Sequence, residues 1–337
     1  MRFIFYVYFV LWFFCNHQAI AESTVEADKK FISIASQNLH RLFDDKDDPL
    51  LREKVLSPKD YQANLKKIAD RIRDSFNCPD VLLLQEVENK RVLQDLAKKT
   101  CIGVKSYKVI FAEGFDSSGI DVGALVAENI HLLSWEQLAT DQRLGKTSLP
   151  LYTRPPLMLR FSPDATSKIH ITAVVVHLRS MVGLYGKHHQ RIANKRKAQA
   201  EWLGNWVNKR LQANREEYLL VAGDFNAEDN AQGADAMLAT IRNVQHNDDT
   251  MQLTNLNNLV PEVLRYTYIY KGKKQALDHM LVSQNTLPLV GSYKIIDSLF
   301  NWPLSAKFFK QSEHRKYSLD HNGLLLALEV PSHTVEK

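Results

Sequence analysis

Short apolar runs rich in Val, Ile, Leu and Tyr recur along the chain, at residues 31–35, 81–85, 107–111, 122–127, 157–161, 169–176, 218–222, 266–270, 277–282 and 324–330. Runs of this length and composition read as β-strands. Helical periodicity falls between them. Over residues 61–73, Leu65, Ile68, Ala69 and Ile72 share one face, and over 192–211 Trp202, Leu203, Trp206, Val207 and Leu211 form a stripe. Residues 91–99 give a shorter helix. No repeat, low-complexity stretch or Pro/Gly/Ser linker breaks the order. Many strands with few helices predict two stacked sheets with helices outside, in one domain from about residue 28 to 333.

The start of the chain departs from this pattern. Met1-Arg2 leads into an apolar run that ends near Cys15, followed by Ala19-Ile20-Ala21. A positive start, a short apolar core and an A-x-A end make a secretory signal peptide. The run is shorter than the ~20 residues of a membrane span. Cleavage after Ala21 leaves residues 22–337, with no span, exported to the periplasm or the medium. Composition is otherwise that of a globular protein, at 45% hydrophobic and 24% charged. The net charge of +5 suits a polyanionic substrate without identifying one.

Cys15 leaves with the signal, so Cys78 and Cys101 remain. One precedes a strand and the other ends the helix after it, which brings both to one edge of a sheet. In an oxidising compartment such a pair is expected to bridge; the alternative is two buried thiols. Lys195-Arg196-Lys197 and Lys209-Arg210 lie on the long helix, where they form a solvated face or, more sharply, a phosphate-tracking patch.

Polar residues capable of chemistry stand at the strand ends. In Tyr218-Leu219-Leu220-Val221-Ala222-Gly223-Asp224-Phe225-Asn226 an apolar strand runs into Gly, then sets an acid and an amide two apart. Residues two apart on a strand point to the same side. Asn38, Glu86, Asp121, His177, Asp278 and the pair Asp320-His321 stand at the ends of other runs. Any one alone is weak; acid, histidine and amide repeated at strand ends suit phosphate-ester chemistry.

Ser36-Gln37-Asn38-Leu39, Leu84-Gln85-Glu86-Val87-Glu88-Asn89, Val176-His177-Leu178-Arg179-Ser180, Gly223-Asp224-Phe225-Asn226-Ala227, Leu277-Asp278-His279 and Leu319-Asp320-His321-Asn322 together resemble the endonuclease/exonuclease/phosphatase superfamily over nearly the whole mature chain. The stretch from Leu42 to Pro49 resembles its exported bacterial nucleases. The resemblance implies a four-layer α/β sandwich of two packed, mostly antiparallel sheets with flanking helices. It implies Glu86 as the main Mg²⁺ ligand, with Asn38 and Asp320 helping directly or through water. All three are oxygen donors, as hard cations require, and Mn²⁺ or Ca²⁺ are alternatives. Asp224 would activate the attacking water and Asn226 would hold the phosphate oxygens. His321 would act at the scissile phosphate with Asp278 orienting it, and His177 would be a second histidine paired with Asp121. Arg154 matches a family arginine that reaches substrate phosphate, and Arg179 lies beside it in the His177 motif.

Two features depart from the family. Leu319 replaces a serine, and Gly323 stands where a proline is usual, which alters the local loop but keeps Asp320-His321. The acidic run Asp44, Asp45, Asp47 and Asp48 lacks EF-hand spacing. The favoured substrate is nucleic acid, DNA first and RNA second, with no stable protein partner. A sphingomyelinase-like or phosphoinositide phosphatase-like hydrolase is the alternative, for which Leu299-Phe300-Asn301-Trp302 or Phe308-Phe309 would enter a bilayer. A binding module that kept the fold and lost catalysis is a third reading. Retention of Asn38, Glu86, Asp224, Asn226, Asp278, Asp320 and His321 together argues against it.

Overall fold

The computed structural model describes residues 29–231, 236–244, 246–297 and 319–331. The expected signal segment, residues 1–21, and the aromatic segments at 299–302 and 308–309 lie outside the described residues.

The first sheet is built from β1 (Lys29–Leu42), β2 (Val81–Val87), β3 (Tyr107–Phe111), β4 (Asp121–Ala127), β13 (Val290–Ile296) and β14 (Gly323–Pro331), in the order β13-β14-β1-β2-β4-β3. The second is built from β5 (His131–Gln137), β6 (Leu157–Ser162), β7 (Ile171–His177), β8 (Tyr218–Asp224), β9 (Leu253–Asn255) and β12 (Asp278–Ser283), in the order β5-β6-β7-β8-β12-β9. Each sheet holds a parallel pair near its centre, β1 with β2 and β7 with β8. The other pairs are antiparallel. A separate hairpin, β10 (Tyr268–Tyr270) with β11 (Lys273–Gln275), precedes β12.

Strand alternation sorts the apolar side chains into layers. Ile32, Ile34, Val81 and Leu83 of one sheet meet Leu159, Ala173, Leu220 and Met280 of the other in a core between the sheets. The opposite face of the first sheet, with Leu82 and Leu84, is covered by α1 (Pro58–Asp74) and α2 (Lys90–Lys99) through Leu65, Ile68, Leu93 and Leu96. The opposite face of the second, with Val174 and Val221, is covered by α3 (His189–Ala213) and α4 (Met237–Arg242) through Leu203, Val207 and Leu238. The result is the expected four-layer sandwich.

The helices begin where local chemistry favours it. Ser57 caps α1 by accepting from Asp60 N, with Pro at the first position and Arg71 and Arg73 in the last turn. Asn89 caps α2 by accepting from Val92 N at 2.9 Å, only three residues beyond Glu86. The bridge between Cys78 and Cys101 closes the edge where α1 and α2 end, with Cα atoms 5.7 Å apart.

The differences from sequence lie at edges. The run at 266–270 is only the short β10, outside both sheets. The run at 169–176 begins as a strand at Ile171. The sequence pattern does not mark β5 and β13 as strands because their residues are mixed and mostly not buried, as suits edge strands.

Candidate active site

The polar residues converge at one end of the sandwich, between the sheets. Alternation places Asn38 on the face of Ile32 and Ile34, His177 with Ala173 and Val175, Asp224 with Leu220 and Ala222, and Asp278 with Met280 and Val282. All four follow the inner faces to the end of the core. Asp278 pairs directly with Asp224 across β12 and β8, and His177 with Asp224 across β7 and β8.

Glu86 breaks the alternation. Val81 and Leu83 face inward, so an unbroken strand would turn Glu86 toward the helices. Instead Gln85 pairs with Val122 and Val87 with Asp121, leaving Glu86 as a bulge with φ of 60°. A bulge re-aims a side chain, and here the carboxylate meets Asn38 Nδ2 at 3.3 Å. At β8, Gly223 has φ of 139°, and a Cβ there would lie 2.1 Å from Val176 O. Only glycine lets β7 approach closely enough to set His177 beside Asp224.

Two groups of side chains make up the site. In the first, Asn38 Nδ2 also donates to Asp224 Oδ2 at 3.2 Å, while His177 Nε2 stands 3.5 Å from Asp224 Oδ2 and 3.9 Å from Glu86 Oε1. Asn226 N donates to Asp224 Oδ1 at 2.8 Å, and its Nδ2 donates to Leu178 O. In the second, His321 Nδ1 is bonded to Asp278 Oδ2 at 2.7 Å, and the Tyr268 ring packs on the imidazole with centroids 4.8 Å apart. Ligand atoms of Asp224, Asp278 and His321 lie within 4.8 Å of one another and link the two groups.

Their charged neighbours separate the two histidines. Burial pulls His177 well below its ordinary pKa, and the Arg154, His321 and Arg41 charges push the same way, so the ring is neutral. Burial also opposes charge on His321. Asp278, with Asp320 and Asp224 behind it, outweighs that and holds the imidazolium well above its ordinary range. Burial lifts the Asp224 carboxyl above the usual carboxylate range, and the Asp278 charge adds to the rise. Groups of opposite tendency in one site are the arrangement acid–base chemistry uses.

Not every expected residue joins the cluster. Asp121 and His177 share no hydrogen bond: Asp121 Oδ2 accepts from Gly114 N at 2.8 Å, and Asp121 Oδ1 and His177 Nδ1 have no partner among the described residues. Asp121 pairs with Val87 at the start of β4, and its carboxylate is held by Gly114 N instead. Arg154 donates to Asp116 at 2.9 Å and to the carbonyls of His177 and Leu178 at 3.4 Å, so it braces the His177 loop. The Arg179 guanidinium turns into its own loop, onto Ser180 Oγ and Val182 O. Asp320 stands 3.6 Å from His40 Nε2.

Sequence reasoning missed two contributors. Arg196, read as part of a solvated or phosphate-tracking triplet, is fully buried and donates to the carbonyls of Arg179 and Asn226, tying together the loops after β7 and β8. A charged triplet carries no sign of this. Tyr268, seen only as a strand residue, packs on His321; its alternation with Tyr266 and Tyr270 was the available signal.

The donor set fits a divalent cation. The charges of Asp278 and Glu86 add to burial in raising the cost of ionising Asp224, which a cation would relieve. Glu86 and Asp320 offer the oxygen atoms a hard metal takes. Asn38 is oriented differently: His40 N donates to Asn38 Oδ1 at 2.9 Å, which fixes the amide with its nitrogen toward Glu86 and Asp224. In this placement it orients the carboxylates.

A sandwich of two mixed sheets with acids, amides and histidines gathered at one end defines a class of phosphoric ester hydrolases. The profile of the Endonuclease/Exonuclease/phosphatase family matches residues 33–319, and the chain belongs to that family. Its members are generally divalent-metal-dependent. No curated protein sequence matches significantly. Among solved structures, D. rerio TDP2 complexed with single strand DNA product is 20% identical, with a TM-score of 0.54 over 88% of this chain and 98% of that one. The human Nocturnin catalytic domain with bound sulfate is 16% identical, with a TM-score of 0.53 over 89% and 96%. An endonuclease/exonuclease/phosphatase from Bacteroides vulgatus is 16% identical, with a TM-score of 0.54 over 90% and 100%. These likenesses show the fold.

Proposed function

We propose that this protein is an exported, Mg²⁺-dependent phosphodiesterase that hydrolyses nucleic acid, DNA foremost. The observation that carries the reading is the convergence of Glu86, His177, Asp224, Asp278 and His321 in one buried site. A cation held by Glu86 with Asp320 would polarise the phosphate and stabilise its developing charge. Asp224, with raised proton affinity and fixed by Asn38 and Asn226, orients the attacking water and takes its proton. His321, charged and held through Nδ1 by Asp278, presents Nε2 to a phosphate oxygen. Asn226 assists that oxygen, and neutral His177 keeps a second donor beside Asp224. Mn²⁺ or Ca²⁺ would substitute in the same oxygen set.

The surroundings favour a polyanion. Residues 265–277 carry Arg265, Lys271, Lys273 and Lys274 and no acid, and this segment touches the site through Tyr268. The TDP2 structure with single strand DNA product supports the same substrate class. Export rests on the signal-like segment 1–21 and is supported by the Cys78–Cys101 bridge, which suits an oxidising compartment. Among the described residues no helix is long and apolar enough to cross a membrane.

The test is a substrate panel at fixed Mg²⁺: a single-stranded oligodeoxynucleotide, an oligoribonucleotide, sphingomyelin vesicles and an inositol polyphosphate. The reading expects the highest kcat/KM on DNA. Turnover of lipid or inositol phosphate with none on either nucleic acid would overturn the substrate assignment and leave the family standing.

A further inference from the structure

Far from the catalytic end, a cleft of about 680 Å³ opens between the C-terminal half of α3, the outward face of β6 and the segment leading into β7. Its walls carry Arg160, Lys168, His170, Trp206, Lys209 and Arg210, against two acids, Glu216 and Glu217. Glu217 is committed to Arg210, which also lies over the Trp206 ring at 5.5 Å. Among the described residues no ion pair involves Arg160, Lys168 or Lys209. Arg160 Nη2 instead donates to His170 Nδ1 at 3.2 Å. The cleft therefore gathers cations that lack carboxylate partners around an aromatic ring, which is the composition of a phosphate-backbone site with a base-stacking surface.

The same helix connects this cleft to the catalytic end. Lys195, Trp202, Trp206 and Lys209 recur at helical spacing on one face of α3. Lys195 stands at the catalytic end, where the charges of Arg154, Arg179 and Arg191 act on it. From Lys195 to Lys209 the helix rises about 21 Å. β7 covers about 20 Å between Ile171, beside the cleft, and His177 in the site. One strand of nucleic acid advances 3.4 Å per nucleotide, so about six nucleotides cover this distance.

We propose that this cleft is a second binding site for the phosphodiester backbone of the substrate strand, holding it about six nucleotides from the phosphate at His321, with Trp206 offering a base-stacking surface. The proposal rests on the nuclease reading above. It predicts that affinity rises steeply once a strand is long enough to reach both places.

The experiment compares fluorescently labelled 3- and 20-nucleotide single strands, binding to the intact protein and to the charge-reversal variant Arg160→Glu/Lys168→Glu/Lys209→Glu, across a salt titration with Ca²⁺ supplied. Hydrolysis of bis(p-nitrophenyl) phosphate with Mg²⁺ is followed in both as a report on the catalytic centre. The variant should lose roughly 10-fold or more in affinity for the 20-mer and little for the 3-mer, and its salt slope should fall by about 2, three contacts at ~0.7 each. Hydrolysis of the small diester should be unchanged. Wild-type binding of the 20-mer by the variant, or an equal loss on both lengths, would overturn the second site and leave the nuclease reading intact. If the wild-type protein hydrolyses the small diester but neither binds nor cleaves either strand, the nuclease reading falls and the second site falls with it.

Discussion

His321 and His177 are both buried in the same site, yet one is held charged and the other neutral. The difference is one contact: His321 has Asp278 at 2.7 Å, while His177 has no partner at Nδ1 among the described residues. His321→Ala is therefore expected to lower kcat by about 10²–10⁴-fold, as loss of a proton-handling group commonly does, with the circular dichroism spectrum unchanged. Near-normal turnover would remove His321 from the reaction. Asp121 gives a second residue-scale prediction. Burial, with the Glu113 and Asp116 charges nearby, pushes its carboxyl up to about 8 despite the bond from Gly114 N. A raised folded value means that the folded protein holds a proton the unfolded chain releases near pH 4, so stability falls as pH rises from about 4 to 8. Asp121→Asn removes that penalty. Its melting temperature should exceed wild type by a margin that grows between pH 5 and pH 8, with hydrolysis close to normal. A loss of activity as large as that of His177→Ala would instead reinstate the Asp121–His177 pair. The identities of Asn38, Glu86, Asp224 and His321 were readable because motif residues sit at strand ends. What each does with its neighbours was not, because the Asn38 amide is turned by the His40 backbone and Asp121 by Gly114, contacts with no sequence signature.

At the scale of elements, the site depends on departures from regular strands. The bulge at Glu86 and the close approach at Gly223 turn alternating strands into one convergent cluster. Central strands such as β2 and β7 were legible as continuous buried runs, and α1 through its apolar face. The edge strands β5 and β13 were not, because half-exposed strands mix polar with apolar residues as loops do. The bridge between Cys78 and Cys101 followed from a strand and its returning helix, and the structure forms it. It closes a loop of 23 residues, for which chain-entropy arguments give about 3 kcal/mol. Cys78→Ser/Cys101→Ser should lower the melting temperature by roughly 5–10 °C while the mature protein remains active. An unchanged melting temperature in the variant, or two free thiols in protein isolated from its native compartment, would contradict a stabilising bridge.

For the molecule as a whole, two layers of helix and two of sheet leave one end of the inter-sheet core for chemistry and place the long helix α3 beside it. The architecture was legible from many strands with few helices, whereas the path of cations and tryptophans along α3 emerges only once Arg196 is seen to be buried and Lys209 to line the cleft. On the reading proposed above, one metal-dependent site, with Glu86 as the main ligand, cleaves phosphodiesters. The most direct test is digestion of supercoiled plasmid by the protein lacking residues 1–21 with Mg²⁺, with and without EDTA, beside a folded Glu86→Gln variant. Nicking that needs both the metal and Glu86 is expected. Cleavage that persists in EDTA, or in Glu86→Gln at a near-normal rate, would contradict that reading.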